Sequence, residues 1–271
     1  MKTTIISSES ESVLSYITNV WRCRALIFVL ARRDMNIRFS QTLFGIFWSF
    51  VQPLVALFIY SIFFYKILGI NTNNVPYPLF VFPGVMVWFH FIQLVNETGT
   101  CLQSNQELIR KVSFPKLIIP LSKIICTSME VVISFFLLVI MLFIYDVDVT
   151  ARLIFFPLIL MINILLGFSI GIWISSLTIK YRDFHHIIPF LVNFLIWISP
   201  VFYPSTILPD NLEYLIFINP ISSVLCLYRW CLIGMPLPEG ILLYNLIPSL
   251  LILTLGLVYF KNNEKKIVDF V

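Results

Sequence analysis

Thr42-Leu-Phe-Gly-Ile-Phe-Trp-Ser-Phe-Val-Gln-Pro-Leu-Val-Ala-Leu-Phe-Ile-Tyr-Ser-Ile-Phe-Phe-Tyr65 contains no charged residue, and it lies between Arg38 and Lys66. A helix needs roughly 20 apolar residues to cross the hydrocarbon core of a bilayer. This stretch meets that length, so a first membrane span is predicted at about 43–67.

The rest of the chain follows the same pattern. Hydrophobic residues make up 59% and charged residues only 12%, with a mean hydropathy of +0.93. A soluble domain carries about 25% charged residues, so this chain has too few to cover a water-facing surface. After Lys66, the turn-rich Asn71-Thr-Asn-Asn-Val-Pro-Tyr-Pro78 reads as a loop. Further spans are predicted at about 79–99, 118–145, 153–178, 185–203 and 241–260. Tyr214–Ile233 is also apolar, but Asn219-Pro220 and Arg229 interrupt it, and Pro204, Pro209, Pro236 and Pro238 surround it. Two short helices dipping into the outer face fit these residues better than a seventh crossing. Irregular backbone at membrane depth must then be buried in protein or line a cavity. The expected fold is an all-α integral membrane protein. It has a segment 1–40 with an interfacial helix and a six-helix domain 41–271, with re-entrant helices between spans five and six.

Lys and Arg set the orientation. One side collects Lys2, Arg22, Arg24, Arg32, Arg33, Arg38, Arg110, Lys111, Lys116, Lys123, Lys180, Arg182, Lys261, Lys265 and Lys266. The other holds Lys66, Arg152 and Arg229, which leaves fifteen of the 18 basic residues on the side expected to be cytoplasmic. Both termini are expected there, and a seventh span would move the C-terminal lysines across. Residues 1–12 are polar and carry Glu9 and Glu11, so the first span is expected to serve as an uncleaved insertion signal. Ala25–Leu30 is apolar but too short to cross, arginines flank it, and Val13, Ile17, Val20 and Trp21 recur at helical spacing. That pattern predicts a helix lying in the cytoplasmic interface, with a soluble helix packed on the protein as the alternative.

Catalytic signatures are missing. The chain has no Gly-x-x-x-x-Gly-Lys-Ser/Thr loop to cradle nucleotide phosphates. His90, His185 and His186 lack partners at metal-ligand spacing, and the five cysteines form no metal pattern. Glu130 lies deep in the third span, two turns after Lys123. An acid there marks either a functional site or a polar contact between helices, with Lys123 or a serine as the expected partner. Gly167, Gly171 and Ser175 recur every four residues, which lets helix backbones approach closely within one subunit or between two. Trp197, Phe202, Tyr203, Tyr228 and Trp230 gather toward the outer half. They are candidates to line a path for a sugar chain, and a membrane-interface belt is the plainer use for any one of them. The basic segment 101–123 is either an ordinary connection or a docking surface.

Four groups of residues resemble those of a known family. They are Arg33-Asp34 with Arg38-Phe-Ser-Gln41-Thr42-Leu-Phe-Gly45-Ile-Phe-Trp48 and Gln52-Pro53; Leu108-Ile-Arg-Lys111-Val-Ser-Phe114-Pro115 with Ile-Ile-Pro120-Leu; Tyr181-Arg182-Asp183 with Pro189; and Ser199-Pro200-Val-Phe-Tyr203-Pro204 with Pro209, Asn219-Pro220, Arg229 and Gly234. In this order they resemble the membrane subunits of type-2 ABC exporters that move O-antigen, capsule or teichoic acid. Phe39-Ser40 and Phe44 depart from the usual pattern and change only local packing.

The resemblance implies a homodimer in the bacterial inner membrane, joined to two separate ATPase subunits that hold ATP and Mg. This chain would bind no cofactor, metal or nucleic acid. Segment 101–116 would include a coupling helix for the ATPase, with Asn105, Glu107, Leu108, Arg110, Lys111, Phe114 and Pro115 at the contact. A lipid-linked polysaccharide would bring its phosphates to Arg22, Arg24, Arg32, Arg33 or Arg38, while Glu130, Gly167, Gly171, Arg182 and Asp183 would be structural. An exporter of a drug or lipid, and a membrane enzyme of glycan assembly, are the alternatives.

Overall fold

A computed structural model describes residues 13–40, 45–70, 72, 75–147, 151–181, 183–207, 219–237 and 241–270. Every regular element among them is helical. In chain order they are α1 (Val13–Arg22), α2 (Arg24–Phe39), α3 (Trp48–Tyr60), α4 (Tyr77–Ser104), α5 (Gln106–Lys111), α6 (Ile118–Ile144), α7 (Phe156–Lys180), α8 (Phe184–Ile198), α9 (Pro220–Ile233) and α10 (Ile241–Phe270). A π-helical segment, Ser61–Ile67, extends α3, and a 3₁₀ turn, Ala151–Phe155, leads into α7.

Among the described residues, five helical stretches are long and apolar enough to cross a membrane: Trp48–Ile67, Tyr77–Ser104, Ile118–Ile144, Ala151–Thr178 and Leu246–Glu264. They correspond to the predicted first, second, third, fourth and sixth spans. The predicted fifth needs correction at its end. Helix α8 stops at Ile198, and Ser199–Ile207 turns back through a short 3₁₀ segment. Its C-terminal residue Ser199 is extended (ψ 142°), and Pro200 follows, a residue that disfavours continued helix before it. Helix α9 is shorter still. Its 14 residues reach about 21 Å at 1.5 Å per residue, against about 30 Å of hydrocarbon. Asn219 caps it by accepting from the Ile221 N–H, Pro220 sits in its first turn, and Gly234 ends it with φ 72°. The expected first dipping helix falls on 208–218, outside the described residues, as does Arg182.

Helix α4 is the centre of the bundle, and Leu79–Trp88 are buried on every side of it. Helices α7, α6 and α9 pack around α4, and α10 packs on α7. The α4–α7 contact depends on small residues. A Cβ on Gly171 would lie 2.6 Å from Thr98 Cβ, and one on Gly99 would lie 2.7 Å from Ile174 Cγ2. Gly167 faces Leu94 in the same seam. The four-residue spacing therefore serves a contact inside the subunit, where dispersion between close backbones replaces the hydrophobic driving force that lipid cannot provide.

The segment 13–40 is not a separate body. Leu30 and Ala31 are buried, α2 packs along α6, and Cys126 Sγ donates to the Ala31 carbonyl at 3.3 Å. On α1, Tyr16 and Val20 face the protein, while Ile17 and Trp21 are exposed. Large apolar side chains also stay exposed along α3, α6, α8 and α10, including Phe58, Phe143, Phe190 and Leu255.

Candidate functional site

Charged side chains converge where α2, α4 and α6 meet near α5. The Asp34 carboxylate on α2 takes the Arg33 guanidinium at 2.6 Å and the Lys123 ammonium of α6 at 2.9 Å. Lys123 also holds Glu97 of α4 at 3.1 Å. One turn further along α2, Arg38 pairs with Glu130 of α6 at 2.9 Å. This corrects the expected partner of Glu130. Lys123 lies two turns away on the same helix, and the Asp34 and Glu97 carboxylates occupy it. Three cations and three carboxylates balance in this cluster. At 1.5 Å per residue from the start of α6, Lys123 lies roughly 8 Å and Glu130 roughly 18 Å along the helix. Charges at such depth persist only when paired.

The network reaches the surface through Asn105, between α4 and α5. Arg33 donates to Asn105 Oδ1, and Asn105 Nδ2 donates to the Cys101 carbonyl at 2.8 Å. Helix α5 buries Ile109 and turns Glu107, Arg110 and Lys111 outward, with Leu108 half-buried. Beyond it, Phe114 and Pro115 are half-buried, and the Lys116 ammonium sits 4.6 Å from the Phe114 ring centroid. The Lys116 N–H donates to Glu264 near the end of α10 at 2.7 Å, which ties this turn to the last helix. Burial holds the Lys116 pKa below the ordinary lysine value, and the Glu264 carboxylate opposes that shift. An open groove of about 610 Å³ runs beside α5, lined by Arg33, Gln103, Asn105, Glu107 and Lys111 among others.

A second cavity, of about 360 Å³, lies deeper between α3, α4, α6 and α8, with Arg38, His90, Gln93, Asn96, Glu97 and Glu130 in its wall.

The other sequence-derived candidates are dispersed. Arg22, Arg24 and Arg32 are exposed, whereas carboxylates already engage Arg33 and Arg38. Phe202 and Tyr228 are buried in the core, so neither can line an open path in this conformation. Phe202 stacks on Phe64 and accepts at its carbonyl from Tyr77 Oη at 2.8 Å. Trp197 is exposed and Tyr203 half-buried, while Trp230 packs against Phe155 and the Arg152 guanidinium. Asp183 is exposed at the start of α8. Cys226 and Cys231 are not joined by a disulfide.

Arg229, which charge counting had placed on the outer side with Lys66 and Arg152, is buried. It donates to the carbonyls of Phe80 at 3.2 Å and Val201 at 2.8 Å, over the Phe80 ring. It therefore pins α9 and the turn after α8 to α4. Sequence reasoning also missed Glu97 and the polar row His90, Gln93 and Glu97. Their three- and four-residue spacing inside an apolar span marks one helix face and could have exposed them.

A model of the family described as ABC-2 type transporter matches residues 25–233. The O-antigen export system permease protein RfbA of Klebsiella pneumoniae is 24% identical over 205 residues, covering 75% of this chain and 78% of the relative. A protein of the same name from Myxococcus xanthus is 24% identical over 230 residues, covering 84% and 88%. The polysialic acid transport protein KpsM of Escherichia coli is 21% identical over 247 residues, covering 89% and 95%.

Proposed function

The chain belongs to the ABC-2 type transporter family, and from that premise we propose that it is the membrane permease subunit of an ATP-driven exporter of a lipid-linked polysaccharide. The relatives named for O-antigen and polysialic acid support the choice of cargo, since they align across most of the chain. The observation that carries the reading is α5. It is a short helix with a charged outer face and a buried Ile109, set between two spanning helices and joined through Asn105 and Arg33 to the ion network inside the bundle. A partner that pushes on α5 therefore moves charges held within the membrane.

In this reading a separate ATPase subunit, two copies per complex, supplies hydrolysis and holds ATP and Mg, because this sequence carries no phosphate loop. It docks on α5 and the adjoining groove, where Arg110 and Lys111 face outward. Two permease copies form the complex in the bacterial inner membrane, and the exposed apolar faces of α3 and α8 suit lipid or a second copy. The excess of Lys and Arg supports a cytoplasmic side for α5 and both termini. Helix α8 with its following turn completes a sixth crossing, and α9 dips into the outer face. The exposed Arg22, Arg24 and Arg32 meet the lipid phosphates.

The test is export of lipid-linked glycan by cells or vesicles carrying this chain, with and without its ATPase. Glycan reaching the far side only with both is the expected result. Translocation that survives loss of the ATPase overturns the proposal.

A further inference from the structure

The 360 Å³ cavity between α3, α4, α6 and α8 falls within the roughly 300–1,000 Å³ of small-molecule sites. Its wall combines three properties. The charges cancel in pairs, Arg38 with Glu130 and Glu97 with Lys123 behind it, so no net positive field invites an anion. Amide side chains arrive from three helices, Gln52 on α3, Gln93 and Asn96 on α4, and Asn193 on α8. Each amide both donates and accepts. The wall also holds buried polar atoms that no described group satisfies, His90 Nε2 and Asn96 Oδ1.

The His90 ring is 3% exposed, and its tautomer follows from its neighbour. Asn163 Nδ2 lies 3.4 Å from the Val87 carbonyl, to which it donates, and 3.0 Å from His90 Nδ1. Nδ1 therefore accepts, and the neutral ring carries its hydrogen on Nε2. A buried donor left unmet is costly, and one set beside a polar cavity is a common mark of a ligand or water position.

We propose that this cavity binds a neutral polyhydroxylated ligand, a sugar ring of the transported glycan, through the amides and His90, with Phe89 offering a ring face to its C–H groups. The proposal rests on the polysaccharide reading above and adds a site to it. Hydroxyl groups donate and accept, which matches amides and carboxylates alike. A phosphate only accepts, and it would face Glu97 and Glu130. The sugar and the lipid phosphate are thus recognised in different places, the phosphate at the exposed arginines of α1 and α2. The mouth lies at Gln52 and Asn193, both exposed.

The experiment uses the full complex in cells that make their own glycan. A diazirine-bearing residue is placed at position 52, or at 193 as a second position on the mouth, and at exposed position 143 as a control. After photolysis the purified chain is oxidised with periodate and tagged with a hydrazide, which labels vicinal diols. A labelled adduct is expected at 52 or 193 and none at 143. Asn96→Leu in the same background is expected to reduce labelling about fivefold, the loss of one net hydrogen bond. Asn193→Leu, at the exposed mouth, gives the same reading with the probe at 52 should Asn96→Leu fail to fold. A phospholipid adduct at 52, equal labelling at 143, or labelling unchanged in both variants overturns the site. Surface glycan measured in the same cells separates the two claims. Export without labelling at either mouth position removes the cavity alone, whereas export that persists without this chain removes the function.

Discussion

Replacing Lys123 with Met tests whether the buried charge network holds the N-terminal helices to the bundle. The Lys123 side chain is 9% exposed, Asp34 12% and Glu97 37%. Removing the ammonium leaves Asp34 with only Arg33 and separates Glu97 from its cation. Breaking a buried pair from one side costs about 3–5 kcal/mol. Glu97 is over a third exposed and gains hydration, and Asp34 keeps one partner, so the lower end applies, about 3 kcal/mol. For a chain of this size each kcal/mol moves the melting temperature by about 2–4 °C, which predicts a fall of about 6–12 °C. The assay is thermal unfolding of the purified protein in detergent. Asp34→Asn alone leaves Lys123 with Glu97 and Arg33 with Asn105. In the double variant Asp34→Asn/Lys123→Met no Asp34 charge remains to miss the ammonium, so the double loses less than the two singles together, by about 1–3 kcal/mol. Strict additivity within about 0.5 kcal/mol refutes the reasoning, because the two side chains then share no interaction.

Gly171→Leu drives a side chain into Thr98, since even a Cβ would sit 2.6 Å from Thr98 Cβ. It is expected to destabilise the α4–α7 seam by about 1–3 kcal/mol in the same melt. Arg229→Met leaves the Phe80 and Val201 carbonyls without their donor. The Phe80 carbonyl lies inside α4 and keeps its helical partner, so the cost is that of the unmet Val201 carbonyl, about 1–3 kcal/mol, and proteolysis at the turn after α8 is expected to rise. Arg110→Ala with Lys111→Ala changes exposed side chains and is expected to leave the melt within about 0.5 kcal/mol. Export is nevertheless expected to fall, and full export in this variant counts against α5 as the docking surface.

Spanning helices were legible because lipid imposes one requirement on every residue of a span. The apolar stretches predicted α6 and α7 within three residues at each end, whereas α4 runs five residues and α10 ten residues past the predicted ends, and the break at Asn219-Pro220 marked the start of α9. The end of α8 was less legible, because α8 itself carries Pro189 without ending there, so Pro200 alone does not announce the turn that ends the helix at Ile198. Side-chain pairing was legible least. Glu130 and Lys123 are near in sequence, but their partners come from α2 and α4, which composition and spacing do not connect. Phe202 and Tyr228 looked like path aromatics because their ring chemistry suits sugar, and burial against Phe64 and Phe156 gives them a packing role.

By itself the sequence determined that the chain is helical, that it lives in a membrane and that one side carries the basic charge. These follow from hydropathy and charge summed along the chain, and they need no knowledge of which helices touch. Tertiary structure alone decided that Arg33, Asp34, Lys123, Glu97, Arg38 and Glu130 form one balanced cluster, and that a polar cavity lies beside it. Ion pairs and cavities depend on contacts a few ångströms long between residues far apart in the chain. Helix periodicity fixes which face a side chain occupies, and only packing fixes what that face meets.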